Sequence, residues 1–169
     1  MDELSTDNRR HGGSVPKIRR ASLDEIDYRI VRELADDARL PNSALADRVG
    51  VAPSTCLNRV RALRKAGVIR GFYADVDPAA LGRSIRAMVA VRLRSGARSR
   101  MTGFGQKMAQ LPEVLDVFFL GGAEDFLIHL AVGSTDELRD FVVGHLTSDA
   151  AIAHTETSVI FEHTRGQHL

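Results

Sequence analysis

From Asp24 onward apolar residues recur at helical intervals: Ile26, Ile30, Val31 and Leu34 form one stripe, with Ser22 or Asp24 ahead of it as a candidate N-cap. A second stripe follows in Ala44, Leu45 and Val49. There Pro41 sits where a missing backbone N–H does no harm, and Asn42 or Ser43 is placed to cap the first turn. Gly50 ends this segment, since glycine takes the left-handed conformation that a side chain resists. In a third segment Cys56, Val60 and Leu63 share one face, with Leu57 beside them. The spacing predicts three short helices, the last two joined by a tight turn as a helix-turn-helix.

After Gly67 the period changes. The run 68–76 alternates, is β-rich and ends at Asp77-Pro78, which predicts a strand leading out of the helical unit. Beyond it the pattern predicts a strand over 85–93, with Ala87, Val89, Val91 and Leu93 on one face, and a helix over 101–111. Strands over 114–120 and 126–132 follow, joined by the turn 121–125; then come a helix capped by Thr135 and running to about Leu146, and a strand over 155–161. The order is β-α-β-β-α-β, so the fold class is α+β: a helix-turn-helix domain followed by a ferredoxin-like domain with two helices on one face of a four-stranded antiparallel sheet. The other sheet face needs a cover. Met88, Val117, Phe119, Phe126, Ile128, Val159 and Phe161 are read as distributed over both faces, which makes a second subunit the natural one. The expected divisions are a disordered polar extension (1–21), the helix-turn-helix (22–67), a linking strand or hinge (68–82), the ferredoxin-like domain (83–164) and a short tail (165–169).

Length and composition agree with two small domains, at 169 residues and 44% apolar content. The net charge of +1 means that any contact with nucleic acid comes from a patch. One patch is legible. The polar side of the third helix carries Ser54, Thr55, Asn58, Arg61 and Lys65, with Arg59 at its edge and Arg64 nearby, and no carboxylate stands between Asp47 and Asp75. An ordinary amphipathic helix pair accounts for the stripes but has no need of this acid-free cationic face. A helix of this kind fits a DNA major groove: Arg59, Arg61, Arg64 and Lys65 are expected on phosphates, Ser54, Thr55 and Asn58 at base edges, and Ser43 beside them. Arg9, Arg10, Lys17, Arg19 and Arg20 of the extension read either as further phosphate contacts or as a solvated tail.

Other chemistry is thinly represented. The one cysteine, Cys56, excludes an internal disulfide framework and suits a reduced cytoplasm. No apolar run reaches the ~20 residues of a membrane span, and no secretion signal is evident, so a soluble intracellular protein without membrane contact is expected. His129, His145, His154, His163 and His168 with Glu156 and Glu162 form no HExxH and no metal-ligand pattern, and Gly103-Phe104-Gly105 lacks a nucleotide-loop fingerprint. No enzyme, metal or cofactor is expected. The turn 121–125 admits two readings. Its Gly121 and Gly122 amides suit a carboxylate and Asp125 an ammonium, the two charged groups of an amino acid, or the turn is simply a hairpin connection.

The span from Leu23 to Thr164 resembles the Lrp/AsnC family of transcription regulators. The matching pieces are LDEIDYRIVRELADDAR, APSTCLNRVRALRKAGVIRGFYADVDPAALG, GAEDF and TETSVIFEHT; within the second, Pro53, Thr55, Cys56, Arg59, Val60, Leu63, Gly67, Ile69 and Gly71 fall where similar members carry the same or like residues. The resemblance implies a winged-helix-like DNA-binding domain and a C-terminal regulation-of-amino-acid-metabolism (RAM) domain that dimerises and often builds octamers. It also implies double-stranded DNA as partner and an amino-acid-like effector bound between dimers, near Gly121, Gly122, Glu124 and Asp125. Gly122, Asp125 and Phe126 reproduce the family's G-x-x-D-aromatic turn, whereas Ala123 stands where several relatives are acidic, so effector identity does not carry over. The expected function is sequence-specific regulation; an architectural protein that compacts DNA with little sequence preference is the first alternative and a ferredoxin-like enzyme a weaker one.

Overall fold

The computed structural model describes residues 22–164 and 166. The expected disordered extension, its five cations and His168 lie outside the described residues. The chain divides into two compact units, with the boundary between Tyr73 and Ala74.

The first unit is built from α1 (Glu25–Asp36), α2 (Asn42–Val49) and α3 (Pro53–Lys65). Asp24 is the N-cap of α1: its Oδ1 accepts the Asp27 N–H at 2.9 Å, while Asp27 Oδ2 accepts the Asp24 N–H at 3.3 Å. The three apolar stripes meet in a core of Ile30, Leu34, Leu45, Ala46, Val49, Cys56 and Leu63. Leu57, read as lying beside the third stripe, is instead exposed. Gly50 ends α2 with φ +75°, and its N–H donates back to the Ala46 and Asp47 carbonyls. The start of α2 departs from expectation, because Pro41 itself is the N-cap and neither Asn42 nor Ser43 caps with its side chain. Asn42 Nδ2 donates to the Pro53 carbonyl at 2.9 Å, tying the beginning of α2 to the beginning of α3.

The strand expected over 68–76 does not form. Its alternation is real, but a strand exists only by pairing, and no described residue offers this segment a ladder; Phe72, Tyr73 and Val76 stay exposed.

The second unit holds β1 (Ile85–Leu93), α4 (Met101–Met108), β2 (Val114–Phe119), β3 (Phe126–Val132), α5 (Thr135–Phe141) and β4 (Ile152–Ile160), preceded by a 3₁₀ turn at Pro78–Leu81. The sheet order is β2-β3-β1-β4 and every pairing is antiparallel, as a β-α-β-β-α-β chain of ferredoxin-like type requires. Ser134, not Thr135, caps α5, and that helix widens into a π turn over Val142–Thr147. Ala87, Val89, Val91 and Leu93 pack with Ile128, Leu130 and Val132 under Phe104, Met108, Leu138, Phe141 and Leu146.

The sheet faces also need correction. Register puts Val117, Phe119, Phe126, Ile128 and Val159 on the helix-covered face, level with Val89, Val91 and Ala87, and leaves only Met88 of that set on the other; Phe161 lies past the end of β4. The outer face presents Met88, Ala90, Leu127 and Phe118 among Arg86, Asp116, His129, Glu156 and Ser158.

Candidate nucleic-acid interface and effector turn

Helix α3 buries Cys56 and Leu63 and turns Ser54, Thr55, Asn58, Arg61, Arg64 and Lys65 to solvent. Its N-cap is Ala52, followed by Pro53, and no side chain closes the first turn, so the leading backbone N–H groups stay available to an outside acceptor. Ser43 is exposed at the start of α2, which Asn42 holds against Pro53. Arg61 and Lys65 have no partner among the described residues, whereas the Arg64 guanidinium stands 5.8 Å from the centre of the Phe72 ring.

Arg59 is placed differently from its neighbours. Its Nη1 lies 2.7 Å from Asp24 Oδ2 and 2.9 Å from Asp27 Oδ1, so it is paired inside the domain and is not a free cation on the expected phosphate-facing set. The pairing raises the Arg59 pKa, chiefly through Asp24 and then Asp27. The Asp27 backbone N–H, followed by Arg59, holds the Asp24 carboxyl below its ordinary value. Sequence reasoning missed these two carboxylates as partners of the third helix. Their i, i+3 spacing was visible, but it signals a capping box and carries no sign of a contact 32 to 35 residues away.

The turn 121–125 is clamped to β1. Asp125 is buried; its Oδ2 accepts the Leu93 N–H at 2.8 Å, and its own N–H donates to the Val91 carbonyl at 2.9 Å. That bond commits Oδ2 of Asp125, the residue expected to accept an ammonium, to the fold and leaves its Oδ1 without a hydrogen bond among the described residues. Glu124 Oε1 pairs with Arg92 Nη2 at 2.7 Å, which raises the Arg92 pKa, while Glu124 Oε2 is buried and has no partner among the described residues. Gly121 and Gly122 adopt no left-handed conformation, and a Cβ on either would meet nothing within 4 Å. The fold itself does not demand glycine at these two positions, and the space above them is open.

The turn lines neither of two clefts on the described part of this unit. One, of about 550 Å³, lies between α4 and β2 and is closed by Phe119 and Phe126. The other, of about 700 Å³, lies on the outer sheet face beneath Ala74–Pro78. Its floor includes His129, whose Nδ1 is 3.2 Å from Asp116 Oδ2 and whose Nε2 is buried without a partner among the described residues. Among the described residues no group of His, Cys, Asp and Glu is arranged to hold a metal, and no helix is long and apolar enough to cross a membrane.

A family model described as winged helix-turn-helix DNA-binding matches residues 23–70, and one described as the Lrp/AsnC ligand binding domain matches residues 86–166. The chain belongs to the Lrp/AsnC family. Within that family it is 53% identical over 154 residues to the HTH-type transcriptional regulator AldR of Mycolicibacterium smegmatis, covering 91% of this chain and 90% of the relative. The crystal structure of MtbAldR superimposes with a TM-score of 0.78 at 50% identity, over 88% of this chain and 99% of that one. An L-Met complex of a transcriptional regulator from Neisseria meningitidis matches at 0.77 and 28% identity, over 86% and 94%. This Lrp/AsnC chain is therefore a sequence-specific helix-turn-helix transcription regulator with a ligand-binding domain, and not an enzyme.

Proposed function

We propose that this Lrp/AsnC regulator inserts α3 into the DNA major groove as a dimer and responds to an amino acid held at the turn 121–125. The carrying observation is the exposed face of α3. Short hydrogen-bonding side chains, Ser54, Thr55 and Asn58, occupy its first two turns beside unpaired backbone N–H groups, while Arg61, Arg64 and Lys65 lie further along without an acidic partner. Short polar groups reach base edges, and long cations reach phosphates. Ser43 adds a hydroxyl from the start of α2. The charge of the chain is otherwise balanced, so affinity depends on this patch and falls steeply with salt.

The outer sheet face supports self-association, since Phe118 and Leu115 remain 45% and 40% exposed there beside Met88. Two copies present two α3 helices to half-sites one helical turn apart or a multiple of it, and further assembly of such dimers, up to octamers, belongs to the same proposal. For the effector, the unpartnered Glu124 Oε2 suits an ammonium and the open Gly121 and Gly122 amides suit a carboxylate; the Neisseria relative's L-Met complex supports an amino acid as the class. Effector binding changes DNA affinity only through a differential affinity for two assemblies.

Footprinting on genomic fragments, with and without each of the common L-amino acids, tests the reading. Discrete palindromic sites whose occupancy shifts with one amino acid are expected. Uniform coverage would instead indicate DNA packaging, and occupancy indifferent to every amino acid would remove the effector.

A further inference from the structure

We infer that Arg59, with Asp24 and Asp27, is a positioning element for DNA reading: the three side chains set the rotation of α3 against α1, and Arg59 does not contact phosphate. The inference rests on α3 being the helix that faces DNA. Helix α3 is 13 residues long, yet it buries only Cys56 and Leu63 and has no side-chain N-cap. Val60 packs partly buried beside them and Asn42 holds the Pro53 carbonyl at the helix start, but apolar contacts confined to one side of a helix resist rotation about its own axis weakly. Arg59 stands between Cys56 and Leu63, at i+3 from Cys56, and reaches across to the first turn of α1. One nitrogen, Nη1, lies within 2.9 Å of both carboxylates.

The two aspartates divide their oxygens. Asp24 uses Oδ1 for the cap and Oδ2 for Arg59; Asp27 uses Oδ2 for the cap and Oδ1 for Arg59. The capping box that starts α1 is thus the same object that grips α3. The Asp27 half of the grip is shielded, with the Arg59 and Asp27 side chains 29% and 16% exposed, while the Asp24 side chain is 50% exposed. Release of Arg59 to a phosphate would break both ion pairs and leave two bare carboxylates beside a polyanion, which argues against an anchoring role. Side chains on a helix end roughly 5–6 Å from its axis, so a 10° rotation carries the tip of Asn58 by about 1 Å, enough to lose a hydrogen bond to a base edge.

The experiment compares wild type with Asp24→Asn, Asp27→Asn, Arg59→Gln, Arg59→Lys, the Asp27→Asn/Arg59→Gln pair and, as an anchor control, Arg61→Gln. Each binds a site selected by wild type from genomic DNA and a scrambled duplex, across a salt series, with circular-dichroism melts alongside. Arg59→Gln and Asp27→Asn are each expected to lower the selected-over-scrambled ratio by about tenfold, the double variant by no more than either, and Arg59→Lys to recover part of it. The salt slope on scrambled DNA stays at the wild-type value for all of these, whereas Arg61→Gln shallows it by about one. Asparagine caps a helix as well as aspartate, so Asp24→Asn removes only the more exposed pair and gives a smaller loss of the same kind even where Arg59→Gln does not fold. The inference is overturned if Arg59→Gln shallows the salt slope as Arg61→Gln does while both aspartate variants read DNA normally. If wild type itself selects no site, the DNA reading beneath the inference fails instead.

Discussion

Asp125 Oδ2 accepts the backbone N–H of Leu93 at 2.8 Å, a buried contact that fastens the turn after β2 to the end of β1. That bond gives Asp125 a structural role, whereas its neighbour Glu124 has one oxygen on Arg92 and the other without a partner among the described residues, which is why Glu124 is proposed as the ligand's acceptor. Replacing Asp125 by Ala leaves the Leu93 N–H buried without an acceptor and is expected to destabilise the second unit by about 2 kcal/mol. Glu124→Gln should leave stability near wild type and abolish the response of DNA binding to amino acids. Urea unfolding of each variant and effector titrations of the folded ones check both halves. An Asp125→Ala protein of full stability that no longer responds to amino acids would reverse the assignment.

On α3 the exposed groups divide by reach. Asn58→Ala is expected to relax discrimination among related sites by about 1–3 kcal/mol at the base it reads, with little change on non-specific DNA. Arg61→Gln and Lys65→Gln should each weaken binding to all duplexes and shallow the salt dependence by about one. Binding isotherms on a panel of single-base variants of one site, at several salt concentrations, separate the two behaviours.

What the chain declares about itself depends on how local the cause is. The alternation of Ala87, Val89, Val91 and Leu93 reflects one covered sheet face, and β1 appears with the bounds that pattern predicts. The run from Val68 to Val76 alternates just as well but forms no strand, because pairing is decided by what lies alongside and not by the segment itself. Faces are set by register between strands, so Val117 and Phe119 could not be assigned until β2 was aligned on β3. At the DNA-facing helix the residue types were legible and their engagement was not. Arg59 and Arg61 look equivalent in sequence, and only the packing of α1 across α3 brings Asp24 and Asp27 to one of them.

Asp24 gives the first unit a pH dependence. The Asp27 backbone N–H and Arg59 lower the Asp24 pKa in the folded chain, so folding favours the ionised carboxylate. Stabilisation from a group of this sign is complete above the unfolded value and is lost as pH falls through the folded one. The loss therefore begins below about pH 4, the ordinary aspartate range. Melts of wild type and Asp24→Asn between pH 7 and pH 3 should differ at neutral pH and converge in acid. Parallel curves over the whole range would mean that Asp24 contributes nothing through its charge.

Cys56 offers a probe of how tightly α3 is held. Its side chain is fully buried between α3 and the rest of the first core, and burial pushes the thiol pKa up, so both access and thiolate supply are low in the native chain. A neutral disulfide reagent at pH 7 is expected to modify the folded protein at least about a hundredfold more slowly than the urea-unfolded chain, because reaction waits on local opening of α3. Bound operator DNA should slow it further, since a ligand that binds only the closed form reduces the open population. Stoichiometric modification within the mixing time, with or without DNA, would show that α3 leaves the core far more readily than its packing implies.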